Sequence, residues 1–222
     1  MKTSNLKSAA GKIIALLILA TGMVCAFAPN VQAVTFNYSS TTNHFINFPG
    51  DHTFDFTSGN NFQVTTGTAS GLFGEISGTF TIGTVTTFMG TSYADVTGAG
   101  MFVIHDGVNT FTANLSWVNI VQTGTGGNLN TMGTVNLTGA TYMGTNADLM
   151  ALRDAGSGLN VLTFQIDVGV TLDQLREHTG SPYYSSFSGT VSAPDGGATV
   201  ALLGLALAGV ESLRRKMKGG KV

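Results

Sequence analysis

The chain has 222 residues, enough for one domain plus processing segments. Its net charge of −2 hides a segregation: between residues 34 and 193 two cations face ten acids, a balance of −8, while the remaining Lys and Arg crowd the two ends. A body whose only cations are Arg153 and Arg176 cannot neutralise a phosphate backbone, which excludes nucleic acid as a partner, and its lack of cysteine excludes disulfide and thiolate chemistry.

The first 33 residues read as a secretory signal peptide. Lys2, Lys7 and Lys12 form the charged region, Ile13 to Ala20 opens the apolar region, and Val31-Gln32-Ala33 offers small residues for a signal peptidase. Cleavage is expected between Ala33 and Val34. The only cysteine, Cys25, lies inside this segment behind Val24, where lipoprotein processing would need a smaller residue. The mature body must therefore be held by its core, and about 160 residues suffice to build one.

From residue 34 to 193 short alternating apolar runs recur between glycines. Strands are predicted at 52–56, 61–66, 78–85, 92–97 and 100–106. In the longest run, 109–123, period-two spacing puts Phe111, Ala113, Leu115, Trp117 and Val121 on one face and Thr112, Asn114 and Ser116 on the other. Further strands are predicted at 134–142, 159–170 and 185–193. Two segments break the alternation. Residues 145–156 have helical spacing, with a cap at Asn146 and a stop at Gly156; residues 171–180 open on a capping box from Thr171 to Gln174. The expected fold class is all-β, an antiparallel β-sandwich or related β-stack with one or two short helices. An N-terminal signal peptide and a C-terminal hydrophobic helix are expected to flank it.

Candidate chemistry is sparse. His44, His52 and His105 lack the paired spacing of zinc ligands. Asp51, Asp55, Asn60 and Asn61 share one loop region, but without EF-hand spacing, and turn chemistry accounts for them. No metal, cofactor or catalytic residue is assigned. A hydrolase would need converging carboxylates, with Asp167, Glu75 and Asp95 the ones to test. A carbohydrate-binding role would need exposed aromatics, and Tyr183 with Tyr184, following Pro182, is the pair that would contact glycan.

Residues 198–210 form a thirteen-residue apolar stretch, spanning roughly 20 Å as a helix against the ~30 Å hydrocarbon core. Arg214, Arg215, Lys216 and Lys218 follow it and would hold that end in the cytoplasm. The order of Pro194-Asp195-Gly196-Gly197, an apolar segment and a basic cluster over 193–217 resembles the VPDSG-CTERM sorting signal, a relative of the PEP-CTERM signals. Ala193 stands where that family has valine, Gly197 where many members have serine, and Glu211 interrupts the apolar run.

The resemblance implies a sorting motif at Pro194 to Gly197, a basic stop at Arg214, Arg215 and Lys216, and processing by an exosortase-type membrane enzyme. The organisation expected is a signal peptide (1–33), an exported β-domain (34–193) and a sorting segment (194–222). That segment would hold the inner membrane transiently through 198–213 while the body stands in the periplasm. The role expected is structural or adhesive and non-catalytic, in the envelope or extracellular matrix and in contact with exopolysaccharide. The alternatives are a carbohydrate-binding module and a secreted hydrolase.

Overall fold

The computed structural model describes residues 33–124, 131–165, 169–178 and 181–193, together with Leu207, which is helical. Ala33–Pro194 forms one compact unit. The expected signal peptide, sorting motif, basic stop and most of the 198–213 segment lie outside the described residues. Among the described residues no helix is long and apolar enough to cross a membrane.

Among the described residues thirteen strands appear, as the all-β expectation requires, and every pairing between them is antiparallel. They are β1 (Val34–Ser40), β2 (Ile46–Gly50), β3 (Thr53–Phe56), β4 (Phe62–Val64), β5 (Phe73–Ile82), β6 (Thr86–Phe88), β7 (Thr91–Thr97), β8 (Ala99–His105), β9 (Thr110–Thr123), β10 (Thr131–Thr141), β11 (Ser157–Phe164), β12 (Tyr183–Ser185) and β13 (Phe187–Ala193). Within Ala33–Pro194 the described residues also form helices α1 (Ala147–Ala155) and α2 (Leu172–Arg176).

The ladders close on themselves. Starting at β5, they run through β4, β1, β13, β11, β10, β9 and β8 and return to β5, an eight-strand circuit. A second sheet, β12-β2-β3-β5-β7, shares β5 with the first and meets it again where β7 pairs with β9. The exchange happens within β5, where Phe73 to Gly78 pair with β8 and Thr79 to Thr81 pair with β3. Glycine makes this corner possible. Gly78 sits at φ 125°, and a Cβ on Gly100 of β8 would collide with the Ser77 carbonyl.

The second sheet lays its aromatics onto the first, as a sandwich requires. Phe48 meets Phe164 at 5.8 Å, Phe54 meets Trp117 at 4.8 Å, and Phe56 meets Phe187 at 5.1 Å between ring centroids. At the other end of the core Phe62 stacks on Phe102 at 5.0 Å and lies 4.6 Å from Tyr38. Tyr38 and Phe62 each stand directly across the ladder from a glycine, Gly189 and Gly74, and their rings fill the space a Cβ would take. Burying a Phe side chain contributes about 1.5–3 kcal/mol, so this aromatic layer carries much of the fold's stability.

Both helices start as the sequence indicates. The Asn146 side chain accepts from the backbone N–H of Asp148 and Leu149, and Gly156 ends α1 in the left-handed conformation. Thr171 and Gln174 form the reciprocal capping box of α2, which ends at Glu177, short of Gly180.

Three expectations need correction. Residues 159–170 are not one strand: β11 stops at Phe164, and Val170 leads into α2. Residues 185–193 belong to two strands in different sheets, with the break at Ser186. Val121 does not share a face with Trp117. A bulge at Val118 puts two β9 residues opposite one step of β10, since Thr134 pairs with Asn119 while Val135 pairs with Trp117. The phase flips there, so Ile120 and Gln122 turn inward and Val121 outward. The inward Gln122 is buried and used: its amide oxygen accepts from Leu172 N–H at 2.6 Å and its amide nitrogen donates to the Val170 carbonyl at 3.0 Å. It fastens the start of α2 to the sheet.

Candidate functional site

Six adjacent strands, β4, β1, β13, β11, β10 and β9, contain no Asp, Glu, Lys or Arg. Alternation sends their aromatic and most of their aliphatic residues inward and leaves Ser, Thr and Asn to dominate the outer face, where Val118, Met132 and Leu159 are also exposed. Register aligns these groups into rows. Phe73, Gln63, Ser39, Ser188 and Thr163 are successive cross-strand partners from β5 to β11. Asn37, Thr190, Val161 and Thr134 form the next row. Neighbours within rows bond to one another: the Thr163 and Ser188 hydroxyls are 2.8 Å apart, and the Thr190 hydroxyl donates to the Asn37 amide oxygen at 2.8 Å. The result is an uncharged face on which hydroxyls and amides predominate, interrupted by Val118, Met132 and Leu159 and held in register by the backbone ladder.

At one edge of this face lies an open groove of about 550 Å³, lined by Ser39, Ser40, Thr41, His44, Gln63 and Phe73 among others. The turn that shapes it is tied down. The Thr41 hydroxyl donates to the Asn60 carbonyl at 2.8 Å, and Thr41 N–H donates to the Asn61 carbonyl at 3.1 Å. Phe73 opens onto the groove at 43% exposure, although β5 buries its neighbours Gly74 and Ile76. Sequence reasoning missed this site. Phe73 sits outside any predicted strand, and its partners come from three elements.

Tyr183 and Tyr184 occupy consecutive positions of β12, so they point to opposite sides of the sheet. Tyr183 is half-buried and packs on His178 at 4.6 Å; Tyr184 is 58% exposed and leans on Phe45 at 6.0 Å. The structure does not bring them together as one platform. Of the carboxylates, Glu75 accepts from Gly59 N–H at 3.4 Å and Asp95 from the Tyr93 hydroxyl at 2.5 Å, while Asp167 lies outside the described residues. His52 faces Glu177 at 3.3 Å. Asn61 is committed to the core through both ends of its amide, and Asp55 accepts from the Asn47 amide at 2.9 Å. Among the described residues no three His, Cys, Asp or Glu are grouped to hold a metal.

One polar network binds loops at the α1 end. Asp106 accepts from the Tyr142 hydroxyl at 2.5 Å and from the N–H groups of Val108 and Asn109 at 2.9 and 2.5 Å. Tyr142 in turn accepts from Asn146 N–H at 3.2 Å. The hydroxyl bond, then the two backbone donors, hold the Asp106 carboxyl down at about 2. A depressed folded pKa means stability that is present above the ordinary carboxylate range and lost as pH falls towards 2. Tyr142→Phe removes the largest cause. Its melting temperature is expected to lie below wild type at pH 5, with the gap narrowing as the pH is taken down to 2. A gap that stays constant from pH 5 to pH 2 would show that Asp106 is not the group responsible.

Comparison with known proteins places one segment only. No curated protein and no solved structure matches the chain, whereas the family model of the VPDSG-CTERM motif matches residues 194–217. That match covers the Pro194-Asp195-Gly196-Gly197 motif, the apolar run and the Arg214-Arg215-Lys216 cluster. It implies processing by an exosortase-type enzyme and an exported, envelope-associated protein. By this match, the chain carries a VPDSG-CTERM sorting signal following its β-sheet body.

Proposed function

We propose that this is a structural or adhesive protein of the cell envelope or extracellular matrix, non-catalytic, and delivered through its sorting signal into contact with exopolysaccharide. In this reading a signal peptidase cuts between Ala33 and Val34. The apolar segment 198–213 then holds the inner membrane, stopped by Arg214, Arg215 and Lys216, until an exosortase-type enzyme acts at Pro194 to Gly197. The observation that carries the matrix role is the uncharged outer face of β4, β1, β13, β11, β10 and β9. Its ordered hydroxyls and amides can exchange hydrogen bonds with a hydrated neutral polymer without stripping water from an ion.

The test compares wild type with a chain lacking 194–222, both expressed in the native cell, by fractionation and mass spectrometry of the mature termini. Wild type is expected to begin at Val34, to lack its basic tail and to sit in the matrix or envelope fraction. The truncated chain should lose about tenfold or more of that partition. An exported wild-type protein that keeps Val222 would overturn the sorting step. Wild type recovered wholly as free soluble protein would overturn the matrix role.

A further inference from the structure

The geometry points to the groove beside Phe73 as a binding site for a neutral oligosaccharide, a reading that rests on the matrix role and gives it a contact point. No Asp, Glu, Lys or Arg lines the groove, so nothing there would favour a phosphate or a uronate over an uncharged ligand. Ser40 and Thr41 are engaged in holding the groove's wall, the Ser40 hydroxyl accepting from Phe187 N–H at 3.2 Å, but other polar groups keep unused capacity. The Ser39 and Thr42 hydroxyls have no hydrogen-bond partner among the described residues. Gln63 spends one N–H on the Gly71 carbonyl at 3.1 Å and keeps its amide oxygen and second N–H.

His44 is oriented by its surroundings. Its Nδ1 stands 2.9 Å from the Thr41 hydroxyl, whose proton goes to the Asn60 carbonyl, and 3.1 Å from the Thr42 carbonyl. Both neighbours can only accept, so in the neutral ring Nδ1 carries the proton and Nε2 is left as an acceptor. The site thus presents two hydroxyls, a carboxamide and an imidazole acceptor around one exposed phenyl ring. That combination matches a sugar, whose C–H face covers an aromatic ring while its hydroxyls bond at the rim.

Two further features fit. The volume of about 550 Å³ lies within the range of small-ligand sites. The groove also opens along a row, since Phe73, Gln63, Ser39, Ser188 and Thr163 are consecutive ladder partners. A chain seated over Phe73 can therefore continue across hydroxyls spaced about 4.8 Å apart.

The experiment uses the full chain against an array of neutral and acidic oligosaccharides, followed by calorimetric titration of the best neutral ligand. Phe73→Ala is expected to weaken binding about tenfold or more, Phe73→Trp to preserve it, and Gln63→Ala to weaken it several-fold. Melting curves of Phe73→Ala, checked in parallel, should stay near wild type because the ring is already 43% exposed. Equal binding by wild type and Phe73→Ala, or a preference for acidic glycans, overturns the site. Co-sedimentation with isolated exopolysaccharide separates this from the wider reading. Wild type and Phe73→Ala sedimenting alike removes the groove and leaves the matrix role standing, whereas wild type remaining in the supernatant removes both.

Discussion

Trp117→Ala is expected to destabilise the domain by about 3–5 kcal/mol in urea or thermal unfolding of the full chain, the cost of emptying a large aromatic site. Trp117 is buried between the two sheets, edge-on to Phe54 at 4.8 Å and 5.7 Å from Phe80. Its ring occupies the space where Gly133 of β10 lacks a side chain. Gly133→Ala in the wild-type background should therefore cost about 1–3 kcal/mol by overpacking. In a Trp117→Leu background the same change should cost much less, because the obstructing ring is gone. Trp117→Phe is the mildest substitution of the series: the indole N–H is buried without a partner, and removing it relieves an unpaired donor. Gly133→Ala behaving as neutral in both backgrounds would sink this account.

Asn61→Ala is expected to cost about 3 kcal/mol or more, through polar groups rather than volume. Asn61 is fully buried. Its amide nitrogen donates to the Thr57 carbonyl at 2.9 Å and the Ile76 carbonyl at 2.7 Å, and its oxygen accepts from Ile76 N–H at 2.9 Å. Truncation leaves all three backbone groups without their partner, at about 1–3 kcal/mol for each one that water cannot reach. Asn61→Asp should be worse at neutral pH than under mildly acidic conditions, since its charge would face two carbonyls. Ile76 stands across the ladder from Phe102, so the lost bonds fall beside the aromatic layer. Unfolding that is unchanged in Asn61→Ala would mean the loop between β3 and β4 contributes nothing to the core.

Much of this architecture was legible in the residues. Alternation marked most strands, Asn146 and the Thr171–Gln174 pair marked both helix starts, and Trp117 shared its face with core residues as expected. These signals are local, because side-chain period and capping chemistry need only a few neighbours. β2 was harder to see because Pro49 interrupts it, and it is accommodated where the β2–β3 register shifts between Asn47 and Gly50. The phase flip at Val118 was invisible for a related reason. A bulge is defined by two strands together, and one strand's alternation cannot announce it.

Where the protein is sent and what its surface offers were decided at different levels. The sorting signal is a linear string of short motif, apolar run and basic cluster, so residue order alone determined it, as the match at 194–217 records. Charge segregation likewise needed only counting. The uncharged face and the groove required tertiary structure. Gln63 and Phe73 are joined across a short loop, but Ser39 and Ser188 lie far from them and from each other in the chain, and the four become neighbours only when β5, β4, β1 and β13 pair in one register. Tyr183 and Tyr184, adjacent in sequence, are put on opposite sides by the same pleat. Sequence proximity and spatial proximity diverge most in antiparallel sheets, where each ladder joins residues separated by a turn, a strand or most of the chain.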